Sequence, residues 1–272
     1  MSLCQLSCIG SYQVSSNEQA TEVDNLFVQS LAKGLKVLEA FSSLQDSISL
    51  TELVAATGMT KSGVQRLTHT LEQTGYIRKD ALSKRYSLTP RVLELGYFFL
   101  RTNPLVAKVT PTLVAARERL GLAMHVSVLE DDDLLYLFRL PSRELKVVEM
   151  LPGRRTSAFS TSSGRVLLSA YPDDKVRDIL KRKPVPAMTP QTVTDPDELM
   201  ALVAECRSQG YSISQDQLIT GQIGVAGPIF NAARKMVAAV NIVARTSDWP
   251  LARVEAELLP QLLALVQELS TY

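Results

Sequence analysis

The 272-residue sequence predicts an α+β protein: a small N-terminal winged helix-turn-helix, a linker helix and a larger mixed C-terminal domain. Three observations carry that expectation. Three short helical segments between Ser30 and Thr74 are followed by two short apolar runs, Tyr76-Ile77 and Tyr86-Ser87-Leu88, with a polar basic stretch between them. Three helices and a basic hairpin make a winged helix. From Thr110 onward, helix-periodic and strand-like segments alternate, as in a mixed domain. The charge is also uneven: residues 26–101 carry ten Lys/Arg against six Asp/Glu, residues 102–272 nineteen of each, and residues 1–25 three acids with no base. A basic module joined to a neutral one suits a polyanion-binding protein.

Composition removes several classes. With 46% apolar and 21% charged residues the chain is not a disordered one. Its longest apolar runs, such as Met236 to Ala244, fall far short of the roughly 20 residues that span a membrane. No basic segment followed by an apolar one opens the chain, so export is not expected. The three cysteines, Cys4, Cys8 and Cys206, are too few for a disulfide framework and suit a reducing cytoplasm. Cys4 and Cys8 lack a Cys or His partner nearby, so no metal or cofactor is expected.

Residues 1–25 are Ser-, Gln- and Asn-rich without periodicity and read as a disordered tail. Residues 26–88 form the expected DNA-binding domain. Leu31, Leu35, Val37, Leu38 and Phe41 fall at helical spacing; a second helix runs from Leu50 to Thr57 and stops at Gly58. A third starts from the N-cap Thr60 and ends before Gly75. On that helix Val64, Leu67 and Leu71 share one side, and Ser62, Gln65, Arg66, His69 and Gln73 the other. The polar side holds donors and no acid, which is what base-edge acceptors and phosphates require. Arg66 is suited to guanine and Gln65 to adenine. Lys61 sits where free backbone N–H groups favour phosphate. Lys84 and Arg85 of the wing are expected on the DNA backbone or minor groove. Gly63 is a blemish, since glycine inside a helix costs about 1 kcal/mol against alanine.

Residues 89–103 form the linker helix, with Pro90 near its first position and Val92, Leu93, Leu95, Tyr97, Phe98, Phe99 and Leu100 apolar almost all round. A second copy of the chain is its expected cover. Residues 104–272 form the third region. A helix is expected over Thr110 to Leu120 and strands over His125 to Leu129, Leu134 to Leu140, Leu145 to Leu151, Tyr211 to Ile213, Val225 to Phe230 and Val237 to Val243. Glu130-Asp131-Asp132-Asp133 reads as a solvated hairpin turn, not a cation site. Asp195, Pro196 and Gly210 bound a helix with Leu199, Leu202, Val203 and Cys206 inside. A last helix runs from Leu251 to Leu269. Ser160-Thr161-Ser162-Ser163-Gly164 reads either as an anion-accepting helix start or as a plain N-cap. Gly221, Gly224 and Gly227 read as a glycine-rich approach to a strand, with Asp216 beside it, and these segments together are expected to line a small polar pocket.

The order of these pieces resembles the IclR-type bacterial transcriptional regulators. The resemblance is carried by Ser30-Leu31-Ala32-Lys33-Gly34-Leu35-Lys36-Val37-Leu38, Lys61-Ser62, Arg66-Leu67, Gly75-Tyr76, Leu93-Glu94-Leu95-Gly96, Gly164-Arg165-Val166-Leu167-Leu168, Thr189-Pro190-Gln191-Thr192 and Val225-Ala226-Gly227-Pro228-Ile229. It implies a dimer, with dimers pairing into tetramers, and a GAF-like C-terminal domain whose curved antiparallel sheet is flanked by helices. That domain is implied to bind a small organic acid through Leu145, Ser162, Ser163, Asp216, Gly224, Asn241 and Val243. Ala158 to Leu168 is similar to the subgroup that responds to aromatic carboxylates of the protocatechuate pathway. Two departures matter. Ile223-Gly224 replaces a pair that often begins with Arg, and Asn241-Ile242-Val243 replaces Ser-x-Ser, so a charge and a hydroxyl are lost and a larger, more neutral or aromatic ligand is implied. The DNA-binding residues implied are Thr60, Lys61, Ser62, Gln65, Arg66, His69, Lys84 and Arg85.

An enzyme with a fused helical domain is the rival reading, and it lacks parts. His69 and His125 are the only histidines, and no Gly-x-Ser-x-Gly, HExxH or Cys-pair motif occurs. A winged helix that contacts protein is the third reading.

Overall fold

The computed structural model describes residues 26–42, 46–142 and 151–270. The expected N-terminal tail and most of the expected Leu145 to Leu151 strand lie outside the described residues. The chain divides into two compact units, one up to Leu95 and one from Gly96.

The first unit holds α1 (Gln29–Glu39), α2 (Leu50–Thr57), α3 (Lys61–Gln73) and a hairpin of β1 (Ile77–Lys79) and β2 (Tyr86–Leu88). Local chemistry sets each boundary. Ser49 and Glu52 form a reciprocal capping box at the start of α2, and Gly58, at φ 69°, ends it. Thr60 caps α3 by accepting the Gly63 N–H at 3.3 Å. A Cβ on Gly63 would stand 3.1 Å from the capping hydroxyl, a tight approach. Val37, Ile48, Leu53, Val64, Ile77 and Tyr86 form the core, and burying each aliphatic side chain contributes roughly 1.5–3 kcal/mol. Ile48 bridges to Tyr86 and ties the loop before α2 to the wing.

Helix α4 (Arg91–Thr102) crosses the division between the units and buries none of its side chains, with Leu93 75% exposed and Tyr97, Phe98 and Phe99 more than half exposed.

The second unit is a six-stranded antiparallel sheet in the order β5-β4-β3-β8-β7-β6. Its elements are α5 (Pro104–Leu120), β3 (Ala123–Glu130), β4 (Asp133–Leu140), β5 (Arg155–Ser157), α6 (Ser162–Leu168), α7 (Asp173–Arg182), α8 (Pro196–Gln209), β6 (Ser212–Gln215), β7 (Gln222–Phe230), β8 (Met236–Arg245), α9 (Leu251–Arg253) and α10 (Leu259–Ser270), with a π-helical turn, Val254–Leu258, between the last two. Strand alternation sorts side chains to two faces. Met124 and Val126 of β3, Val225 and Ile229 of β7, and Val240 and Ile242 of β8 pack under α5 and α10. Ala226 and Ala239 face the other way, in a core with Leu134, Tyr136 and residues of α6, α7 and α8.

Several expectations need correction. Helix α5 begins at Pro104 rather than Thr110, because Asn103 caps it and Pro104 takes the first turn, where a missing N–H is harmless. The glycine-rich segment is not an approach to a strand: Gly224 and Gly227 lie inside β7, and only Gly221, at φ 82°, belongs to a turn. Strand β5 and helix α7 were not expected. The sequence does hold a signal for α7, with acids in its first turn, Lys181 and Arg182 in its last, and Val176, Ile179 and Leu180 on one side.

The turn of Asp131 and Asp132, both at positive φ, closes the β3–β4 hairpin, as two-residue turns of this hand do. The Asp131 carboxylate pairs with Arg155 and that of Asp132 with Arg182, while Lys183 pairs with Asp133 at the start of β4. Among the described residues no metal-holding cluster occurs, and no helix is long and apolar enough to cross a membrane. Cys206 is 2% exposed on α8, and burial pushes its thiol up to about 11, so it is a core residue.

Candidate functional site

Two polar surfaces stand out, one in each unit. In the first, Ser62, Gln65, Arg66 and His69 of α3 are exposed along one side and border an open concavity completed by Thr70, Glu72, Lys79 and Tyr86. Lys61 is exposed at the N-terminal end of α3, beside the capping Thr60. Glu72 brings an acid to the border of this face, but its Oε1 accepts the Lys79 N–H at 3.3 Å, which ties α3 to β1. Lys79 also lies over the Tyr86 ring at 5.3 Å.

The wing residues divide. Lys84 stands exposed at the tip with φ 59°, in a turn that Asp80 organises by accepting the Leu82 and Ser83 N–H groups. Those bonds, first the one from the Ser83 backbone, hold the Asp80 carboxyl below its usual range. Arg85 is a correction. Its guanidinium donates to the Ser47 hydroxyl at 3.0 Å, the Ser47 carbonyl at 2.8 Å and Glu52 at 2.8 Å. It straps the wing to α2 and to the loop before it, next to the Ile48–Tyr86 bridge.

In the second unit a cavity of about 90 Å³ opens between the sheet and the start of α6. One water needs roughly 10–15 Å³ measured this way, so the space holds a small molecule. Strand register assembles its floor. His125 on β3 lies opposite Arg139 on β4 and Asn241 on β8. Val243 lies opposite Gly224, which lies opposite Ser214. Ser160, Thr161 and Ser162 border it from above, and Arg154, Tyr136 and Gln217 to Ile219 complete the wall. A Cβ on Gly224 would meet the Ser162 hydroxyl at 3.1 Å, so glycine keeps the space open.

Of the residues implied by the resemblance, Ser162, Gly224, Asn241 and Val243 line this cavity. Leu145 lies outside the described residues. Two placements are corrections. Ser163 is fully buried and is not among the lining residues. Asp216, at φ 57°, turns its carboxylate onto the Gly221 N–H at 2.5 Å and organises the β6–β7 loop from outside the cavity. At the helix start the Thr161 hydroxyl caps the Gly164 N–H at 3.0 Å, as an ordinary N-cap does, and α6 is only seven residues long. The charge expected to be lost at Ile223 is supplied from elsewhere, by Arg139 and Arg154.

The electrostatics are unusual for a protein interior. His125 is fully buried, and burial first, then the Arg139 charge, push its pKa down to about 3, so its ring is neutral. It meets the Tyr136 ring edge-on at 5.5 Å, and the Arg139 guanidinium stacks over Tyr136 at 4.2 Å. The His125 Nδ1, Ser160 Oγ and Asn241 Oδ1 atoms are buried without a hydrogen-bond partner among the described residues. Buried polar atoms ordinarily find partners, so these three mark a place for water or a ligand. Sequence reasoning missed His125, Tyr136, Arg139 and Arg154. The first three sit in strands and Arg154 just before β5, and nothing local shows which strands become neighbours.

A winged helix joined to a domain with a polar cavity defines a class, the DNA-binding regulator with a sensing domain. The comparisons with known proteins carry this further. Residues 30–81 match the IclR helix-turn-helix domain and residues 98–271 the bacterial transcriptional regulator IclR C-terminal domain. The chain belongs to the IclR family of bacterial transcriptional regulators. It is 34% identical to the Pca regulon regulatory protein of Pseudomonas putida over 92% of this chain and 86% of that protein. An IclR family transcriptional regulator from Brucella abortus has the same fold, with a TM-score of 0.78 and 26% identity over 91% of this chain and 94% of that one. An IclR homologue from Microbacterium hydrocarbonoxydans, solved in complex with 4-hydroxybenzoate, matches with a TM-score of 0.70 and 25% identity over 89% of this chain and 98% of that one. These relatives are regulators, and the chain is a transcriptional regulator, not an enzyme.

Proposed function

We propose that this regulator binds operator DNA through residues 26–88 and changes its DNA affinity when residues 104–272 take up a small aromatic carboxylate. Lys61, Ser62, Gln65, Arg66 and His69 meet the major groove, Thr60 positions the start of α3, and Lys84 meets the backbone. The linker, residues 89–103, dimerises through the apolar face of α4, which exposes Leu93, Leu95, Tyr97, Phe98 and Phe99; pairs of dimers form the tetramer. Two-fold symmetry then sets half-sites about one helical turn apart.

The observation that carries the ligand class is the cavity lining. Arg139 and Arg154 suit a carboxylate, and Tyr136 with a neutral His125 suits a ring. Ser160 and Asn241 offer partners to a ring hydroxyl. The relative from Microbacterium hydrocarbonoxydans, which holds 4-hydroxybenzoate, supports the same class. A ligand that prefers one arrangement of the dimer shifts operator affinity by the difference in its own affinities.

The test is fluorescence anisotropy with duplex from the chain's own promoter and with random duplex, titrated with salt and with 4-hydroxybenzoate. Preference for the promoter duplex that weakens with salt and shifts with the acid is expected. Equal binding of both duplexes overturns the DNA reading, and an affinity indifferent to all small aromatic acids overturns the ligand reading.

A further inference from the structure

Arg165 of α6 is 1% exposed. Its Nε donates to the Phe159 carbonyl at 3.0 Å, one terminal nitrogen to the Ile213 carbonyl at 3.5 Å, and the other to the Gln217 Oε1. Burial pushes its pKa down only to about 10, so it remains charged at neutral pH. Among the described residues no carboxylate forms an ion pair with it; Glu198 and Glu205 act only through space. A buried cation held by neutral oxygens is a poor way to stabilise a fold. Its contacts make sense as positioning, because one of them fixes a residue of the cavity wall.

That residue is Gln217. Its backbone is already set. The Thr192 hydroxyl donates to the Gln217 carbonyl at 2.7 Å, and the Thr189 hydroxyl to the Asp216 carbonyl at 2.5 Å. Arg165 then decides which way the side-chain amide faces. A guanidinium only donates, so the amide must turn its oxygen toward it and its NH2 group away. The Gln217 Nε2 has no hydrogen-bond partner among the described residues, and Gln217 borders the cavity beside Ser214 and Gln222. The neighbouring charge also polarises the amide and strengthens it as a donor.

We infer that Gln217 determines ligand specificity, its Nε2 donating to a carboxylate oxygen of the bound acid, with Arg165 as the positioning residue that sets the sense of the amide. This rests on the reading of the cavity as an organic-acid site. It adds a donor that the resemblance does not supply, reached from behind the wall.

The test is calorimetric titration of the full chain with 4-hydroxybenzoate and with its neutral amide, 4-hydroxybenzamide. The parent should favour the acid by roughly tenfold or more, the worth of a charge-assisted hydrogen bond. Gln217→Glu keeps the contact to Arg165 as an ion pair but faces the ligand with an acceptor. It should weaken the acid by clearly more than that factor, because two carboxylates then face each other, retain the amide and so reverse the preference. Gln217→Leu should bring the two ligands close together. Arg165→Lys keeps the charge but loses the planar fork, so the preference should narrow without reversing. If Arg165→Lys does not fold, the two Gln217 variants decide. Parental affinity and preference in both Gln217 variants would overturn the inference. A parent that binds neither compound overturns the acid-site reading itself, and its own isotherm separates that failure from the other.

Discussion

The two units place their recognition chemistry in opposite settings. The winged unit keeps a six-residue buried core and turns its donors outward from one helix, where water satisfies them until DNA arrives. The C-terminal unit encloses its polar atoms between a sheet and α6, where His125 Nδ1, Ser160 Oγ and Asn241 Oδ1 find no partner among the described residues. An exposed polar face costs little to keep and is specified by one element. An enclosed one must be held against desolvation by its surroundings and is specified by several elements at once. Substitutions in the two units should therefore fail differently.

The largest effect is expected at Gly164, where a Cβ would stand 1.9 Å from the Ala158 carbonyl oxygen. Neither backbone can move aside cheaply, so Gly164→Ala should destabilise the C-terminal unit by about 3 kcal/mol or more. Thermal unfolding should show that loss while the winged unit keeps its own transition; a parental melting curve would show that the cavity roof is not as tightly held as the comparison requires.

Next comes the open face. Replacing both Gln65 and Arg66 by alanine removes two side chains able to pair with base edges, each worth about 1–3 kcal/mol. Specific operator affinity should fall about 100-fold in gel-shift titrations with thermal stability unchanged, since neither side chain is buried. Loss of stability instead of affinity would place these residues with the enclosed set.

Acid should sharpen the contrast. The folded chain holds the His125 proton only below about 3, whereas an unfolded chain takes it up near 6.5. Between those values the unfolded state binds more protons, so this contribution to stability is complete above about pH 6.5 and is lost as pH falls toward 3. The slope is at most about 1.4 kcal/mol per pH unit. Denaturant titrations across that range should show it, and His125→Gln should flatten it.

The smallest effect is local. Thr60→Ala removes the cap from α3 and leaves the Gly63 N–H without its acceptor. About 1 kcal/mol of stability should go, with only a modest fall in operator affinity. A change confined to DNA binding would mean that the hydroxyl serves DNA more than the helix.

The two regions were unequally legible. The helix limits at Gly58, Thr60 and Gly210 follow from local rules, because caps and stop residues act within one turn of chain. The same is true of the outward side of α3. Arg85 was misread because its partner, Glu52, lies on an earlier helix. Asp216 was misread because its own loop consumes its carboxylate, which no spacing rule reveals.

By itself, then, the order of residues determined the helices, most strands, the donor-bearing side of α3 and the family resemblance, since each depends on periodicity or on neighbours a few positions apart. Only the tertiary structure decided which strands adjoin. That choice brings Arg139, His125 and Asn241 into one row and sets Gln217 against Arg165. Pairing between distant strands depends on the packing of the whole sheet, so the chemistry of an enclosed site appears only once the chain has closed around it.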